Sequence, residues 1–325
     1  MKRSRLNLDL VERTLAEELD RGASADEIIE TLGAVVGGDR DATRERLRAA
    51  VSSGDDVATG LAHAGVLRHD AARALAAASP GACVAVVDAV AQQRLARAAL
   101  RMSTLRGVVM LIVSLASVTV AGRIALGTLH QFFVDALAEP GVGWARLAVV
   151  AEVMSHPVTF AVATVALAAL AWRGEALARR ASPRLASVML GATVARVLQA
   201  ELDAGADAAR ALDAAARSVA SRDVPAVKAA AAALSDGRPV HRVLSELGVL
   251  GMHDANDVEQ PDPAALSSVL GARAEVLSVE QAVLAAAYDT RVRAAYAVVA
   301  GVFVFVMAVT VILGMVEVTA CLASL

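Results

Sequence analysis

Aromatic residues make up only 3% of this 325-residue chain, and its formal net charge is -3. It therefore has neither a base-stacking platform nor an overall basic field, and nucleic-acid binding is not expected. Cysteine is as scarce: Cys83 and Cys321 stand far apart with no C-x-x-C spacing, which leaves no disulfide framework and no zinc site to read. No P-loop, H-E-x-x-H, G-x-S-x-G or dinucleotide glycine pattern occurs. No catalytic residue, cofactor or enzymatic activity is expected. The histidines are scattered, with no pair at ligand spacing on one helix face. Strand signals are also lacking, and the expected fold class is all-α.

What the chain does have is apolar sequence. Hydrophobic residues reach 57% and mean hydropathy is +0.55, yet charged residues still make up 20%, so the apolar excess is gathered into segments. Three runs are long enough to span a bilayer. Between Arg106 and Arg123 no residue is charged, and a tilted helix over 104–128 crosses with Arg123 snorkelling. Val153 to Trp172 is also uncharged, predicting a second span over 151–172. Ala294 to Val316 predicts the third, over 294–317.

Arginines gather on one side of these runs. Arg94, Arg97, Arg101 and Arg106 precede the first, Arg179 and Arg180 follow the second, and Arg291 and Arg293 precede the third. By the positive-inside rule these residues set the topology: cytoplasmic regions at 1–103 and 173–293, a short periplasmic loop at 129–150 and a periplasmic tail at 318–325. The N-terminus carries no uninterrupted apolar h-region of a signal peptide and is expected to stay cytoplasmic.

Sliding the sequence by 183 positions exposes an internal repeat. LAEELDRGASA (15–25) aligns with LQAELDAGADA (198–208), and VSSGDDVATGLAHAGVL (51–67) with LSDGRPVHRVLSELGVL (234–250). Over 15–67 there are 17 identities in 53 pairs, where this composition gives about 5 by chance. The shared positions read as helix punctuation. Gly22 and Gly205 close one helix, and Ser24 and Asp207 cap the next, Ser24 forming a capping box with Glu27. Gly54 and Gly237 end another helix, and Gly65 and Gly248 stop a short one anchored by Val57 and Leu61, or Val240 and Leu244. Pro80 and Pro263 open the last helix of each module, which runs straight into a span. Each module reads as a bundle of about six helices.

With this order of helical module, span, outside loop, span, second module and span, the chain resembles the type II secretion F family. Its members are inner-membrane platform proteins of type II secretion systems and type IV pili. The family's helix end in L-x-A-G is similar to LAEELDRG and LQAELDAG, and its G-x-x-L-x-x-A-L helix to SGDDVATGLAHAGVL and DGRPVHRVLSELGVL. The likeness covers roughly residues 10–320. It implies a multi-pass scaffold in the bacterial inner membrane, with two repeated cytoplasmic helical-bundle modules, that couples a cytoplasmic assembly ATPase to pilin or pseudopilin subunits. It also implies other inner-membrane assembly proteins as partners and a homo-oligomer. The shortened N-terminus favours a pilus platform over a general secretion one.

The chain departs from the family where a Gly-Glu, Ser/Thr-Gly turn usually precedes each module's last helix. Here those stretches read AAASPGA (76–82) and VEQPDPA (258–264), so no inter-module contact or cation site assigned to that turn is carried over. The acidic run at 253–262 offers Asp254, Asp257, Glu259 and Asp262 as oxygen ligands for a hard cation, but lacks EF-hand spacing and reads first as a solvated loop. A second function class is a small membrane transporter or channel with regulatory cytoplasmic helical domains. Substrate pathways usually place ionisable groups at mid-membrane, and the centres of these runs have none.

Overall fold

The computed structural model describes residues 8–36, 44–45, 48–49, 56–135, 142–251 and 263–324. Among them there is helix and no strand. The chain divides into two compact units, one from the residues up to Ala96 with Pro183–Leu284, the other from Arg97–Ser182 with Ala285 onward.

The first unit begins with α1 (Leu8–Asp20), α2 (Ala25–Val36), α3 (Val57–His63) and α4 (His69–Leu75). Their apolar faces, with Leu15, Ile28, Leu32 and Leu61 almost wholly buried, close on Cys83 and Val87 at the start of α5 (Cys83–Asp135). The helices α6 (Val142–Ser155), α7 (Pro157–Trp172) and α8 (Gly174–Ala181) belong to the second unit. The first unit resumes with α9 (Pro183–Asp203), α10 (Ala208–Ser218), α11 (Val224–Ser235), α12 (Val240–Glu246) and the start of α13 (Pro263–Ser324). Their core takes in Ala82, Val86, Ala89 and Val90 from the N-terminal stretch, so both stretches share packed apolar surface. Gly191 is what permits α9 to approach the chain turn at Gly248, whose carbonyl oxygen would lie 2.9 Å from an added Cβ.

Helix boundaries in the two stretches coincide at the 183-residue offset. The helix α1 ends at Asp20 and α9 at Asp203; α2 starts at Ala25 and α10 at Ala208; α3 and α12 match at both ends. The chemistry of the stops coincides as well. Gly22 (φ 70°) and Gly205 (φ 85°) each complete a Schellman motif, in which the next residue's N–H reaches back to Glu18 or Glu201 at 3.0 and 2.9 Å. Gly65, Gly237 and Gly248 have positive φ in the same motif, and Gly54 lies outside the described residues. Ser24 and Glu27 form the expected capping box, the Ser24 N–H donating to Glu27 Oε2 at 2.7 Å, and Asp207 accepts the Arg210 N–H at 2.8 Å. Pro263 opens α13, but Pro80 does not open α5: Gly81, at φ 90°, turns the chain and the helix starts only at Cys83.

Three described helices, α5, α9 and α13, are long and apolar enough to cross a membrane. They differ in burial. The apolar window of α9 is 67% buried within the protein, against 22% in α5 and 17% in α13. The burial of α9 is that of a core helix. The other two leave Met110, Val298 and Phe305 each more than 60% exposed. The helix α5 runs for 53 residues and α13 for 62. The expected spans at 104–128 and 294–317 are therefore parts of much longer helices.

The second expected span, 151–172, is not one helix. The helices α6 and α7 bend by 53° at His156. Pro157 has no N–H to continue α6 and disfavours helical backbone at the residue before it; His156 leaves the helix and its Nδ1 accepts the Val158 N–H at 3.2 Å. At 16 residues, or about 24 Å, α7 alone falls short of a 30 Å hydrocarbon core, but α6 and α7 together are long and apolar enough for one broken span or a re-entrant loop. In the second unit, Trp144 packs beside Phe133 at 4.9 Å between ring centroids, the rings tilted by 41°, within an apolar cluster that includes Leu129 and Val311. Gly314 makes room for the indole.

Candidate functional site

The first unit's polar chemistry is concentrated where the two long helices start. The first four N–H groups of a helix have no partner within it, and a carboxylate there meets both these donors and the positive end of the helix dipole. Asp20, the last residue of α1, supplies that carboxylate to α5. Its Oδ1 accepts the N–H groups of Gly81 (2.8 Å) and Cys83 (2.9 Å), and its Oδ2 that of Val84 (3.0 Å). The equivalent residue of the other stretch, Asp203, accepts the Ser267 hydroxyl on α13. One position of the repeated E-L-D sequence thus ties down the base of each long helix.

A further carboxylate crosses between the stretches. Glu201 is fully buried and accepts the Ser79 N–H at 3.0 and 3.3 Å. The 76–82 turn therefore makes a contact between the two stretches, through a glutamate on α9. Burial pushes the Cys83 thiol up to about 12, with the charge of Asp20 adding to the effect. It stays a thiol, lying 3.7 Å from the Ser79 carbonyl oxygen to which it donates.

Glu12, also fully buried, lies at the centre of a second network. Arg94 Nη2 on α5 meets it at 2.6 Å, Arg94 Nε meets Asp70 at 3.1 Å, and Arg68 reaches Asp9 at 2.5 Å and Glu12 at 3.5 Å. The hydrogen bond from Arg68 holds the Asp9 carboxyl below the usual carboxylate range. This network accounts locally for Arg94, which the sequence places among the topology-determining arginines.

The remaining arginines of that set divide. Arg97 and Arg179 are half-buried; Arg101, Arg106, Arg180, Arg291 and Arg293 are exposed. Within the second unit, Asp289 accepts the Ser103 hydroxyl at 2.6 Å and Arg293 Nη2 at 2.5 Å, joining α5 to α13. Those partners, the Ser103 hydroxyl first, hold its carboxyl below the ordinary value. Gly107 lies against the Tyr296 ring, where any side chain would collide, while Gly301 faces open space.

Asp254, Asp257, Glu259 and Asp262 lie outside the described residues. Among the described residues no group of three or more His, Cys, Asp or Glu side chains is placed to share a metal ion. Sequence reasoning missed Glu12, Asp20, Glu201 and Asp203 as anchoring groups. For Asp20 and Asp203 the recurrence of E-L-D at 18–20 and 201–203 was the available signal, read only as a helix end.

No protein-family model matches the chain, and no curated protein matches it.

Proposed function

We propose that the chain is an inner-membrane platform protein of a type IV pilus or type II secretion system, coupling a cytoplasmic assembly ATPase to the incorporation of pilin or pseudopilin subunits. The observation that carries this reading is the pair of unbroken helices, 53 and 62 residues long. Each starts in a helical bundle, is held there by the aspartate ending a matched helix, and continues into an apolar run. Coinciding helix ends at the 183-residue offset support two copies of one module. A helix of this length, clamped at its base, is a stiff lever: rotation or tilt of the bundle moves the distal apolar end with it. The modules face the cytoplasm in this reading, where the ATPase engages them, and the uncharged centres of the apolar runs favour a scaffold over a transporter.

Two measurements test it. Reporter fusions at Pro140 and Leu325 are expected to be active only outside the membrane and one at Ala220 only inside; an outside signal at Ala220 contradicts the topology. The full-length chain, extracted in mild detergent from its own host, is expected to retain a cytoplasmic assembly ATPase, and its deletion to abolish fibre assembly or secretion. Normal fibres and secretion in the deletion strain contradict the function.

A further inference from the structure

A groove of about 610 Å³ opens between α5 and α13 within the second unit, a volume in the range of small-molecule sites. Leu105, Val109, Met110, Tyr296, Ala297 and Ala300 line it, and Gly107 lets the Tyr296 ring lie close to form its floor. Met110 is 68% exposed and Val109 49%, so the apolar wall is open to the surroundings. Arg106 and Arg293 also line it, each at the point where its helix enters an uncharged run. The two cations are not equally engaged. Arg293 pairs with Asp289, whose other oxygen takes the Ser103 hydroxyl, whereas Arg106 acts on the same carboxylate only through longer-range attraction. Two guanidinium groups and one carboxylate leave a net positive charge at one end of an apolar groove. That is the complement of an amphiphile with an anionic head and a hydrocarbon tail. Basic pockets between membrane helices recognise such lipids, and guanidinium suits phosphate geometry.

We propose that this groove binds an anionic phospholipid, its phosphate held by Arg106 and Arg293 and an acyl chain lying along Leu105, Val109, Met110 and Ala300. The proposal rests on α5 and α13 lying in a bilayer and not on the pilus or secretion role. A site of this kind would fix the depth and spacing of the two helices where they enter the membrane.

Native mass spectrometry of the full-length chain in detergent, titrated with dioleoyl-phosphatidylglycerol or dioleoyl-phosphatidylcholine, tests it. With about 1 kcal/mol per arginine near a phosphate, the first phosphatidylglycerol is expected to bind at least tenfold tighter than the first phosphatidylcholine. The ratio should fall towards one in Arg106→Gln/Arg293→Gln and largely survive in Arg106→Lys/Arg293→Lys. Equal affinity for the two lipids in the unmodified chain, or an unchanged ratio in the glutamine variant, overturns the proposal. A photoreactive residue at Met110, activated in native membranes, separates lipid from protein: a lipid adduct is expected, and a protein adduct in its place overturns the proposal.

Discussion

The two helical stretches of the first unit share helix ends and stop signals but not the same interior. Where the N-terminal stretch buries Glu12 against Arg94, the C-terminal stretch places Ala195 and Leu277 at the equivalent positions, both almost fully buried. Asp9 has Ala192 as its counterpart. One frame thus accommodates a buried charge network on one side and apolar core residues on the other. The comparison separates what the frame needs, which is capped ends and apolar anchors, from what varies within it. The charged version is not expected to be the more stable, since desolvating two charges offsets much of their attraction and apolar replacements are often neutral or better.

Unbalancing that difference produces the largest effect. Arg94→Leu alone takes the 2.6 Å partner from buried Glu12, leaves it only the longer 3.5 Å contact to Arg68, and is expected to cost about 3 kcal/mol. Glu12→Ala combined with Arg94→Leu copies the C-terminal pair and is expected to recover most of the loss, read by denaturant unfolding of the full chain. A double variant as unstable as Arg94→Leu would show that the two interiors are not interchangeable. The helix anchors come next. Asp20→Ala removes three N–H bonds at the start of α5 and is expected to cost about 1–3 kcal/mol, whereas Asp203→Ala removes one hydroxyl bond and costs about 1 kcal/mol. The order is checked by hydrogen exchange at Cys83 and Val84 against the first turns of α13. The smallest effect concerns acid. Asp9 has a depressed pKa, so its contribution is present above the unfolded value near 3.8 and is lost as pH falls through the folded one. Because Asp9 is 72% exposed, the amount is under about 1 kcal/mol. Asp9→Asn is expected to flatten the fall in stability below about pH 4.

The stop signals were legible because they are local: a glycine after E-L-D needs only its own φ, and a capping serine finds its glutamate three residues on. The long helices were legible too, since their heptad-like runs lead into apolar sequence without a turn signal. The break at His156 was missed because hydropathy averages over Pro157, which is apolar yet cannot donate. The carboxylate anchors were missed for a different reason. Glu12 meets Arg94 across 82 residues and Glu201 meets Ser79 across 122, and no local pattern marks a pairing that only packing creates.

If α5 and α13 are stiff couplings between bundle and membrane, interrupting either helix uncouples the two. Ala99 and Ala287 are exposed positions within α5 and α13, ahead of the apolar runs. Proline there removes a backbone hydrogen bond, at about 3 kcal/mol, without disturbing a packed side chain. Fibre assembly or secretion is measured in strains carrying Ala99→Pro or Ala287→Pro, alongside membrane insertion and ATPase retention. Insertion and ATPase retention are expected to survive while output is lost. Wild-type output from both variants, with insertion and retention intact, would contradict this coupling and leave the chain a passive anchor.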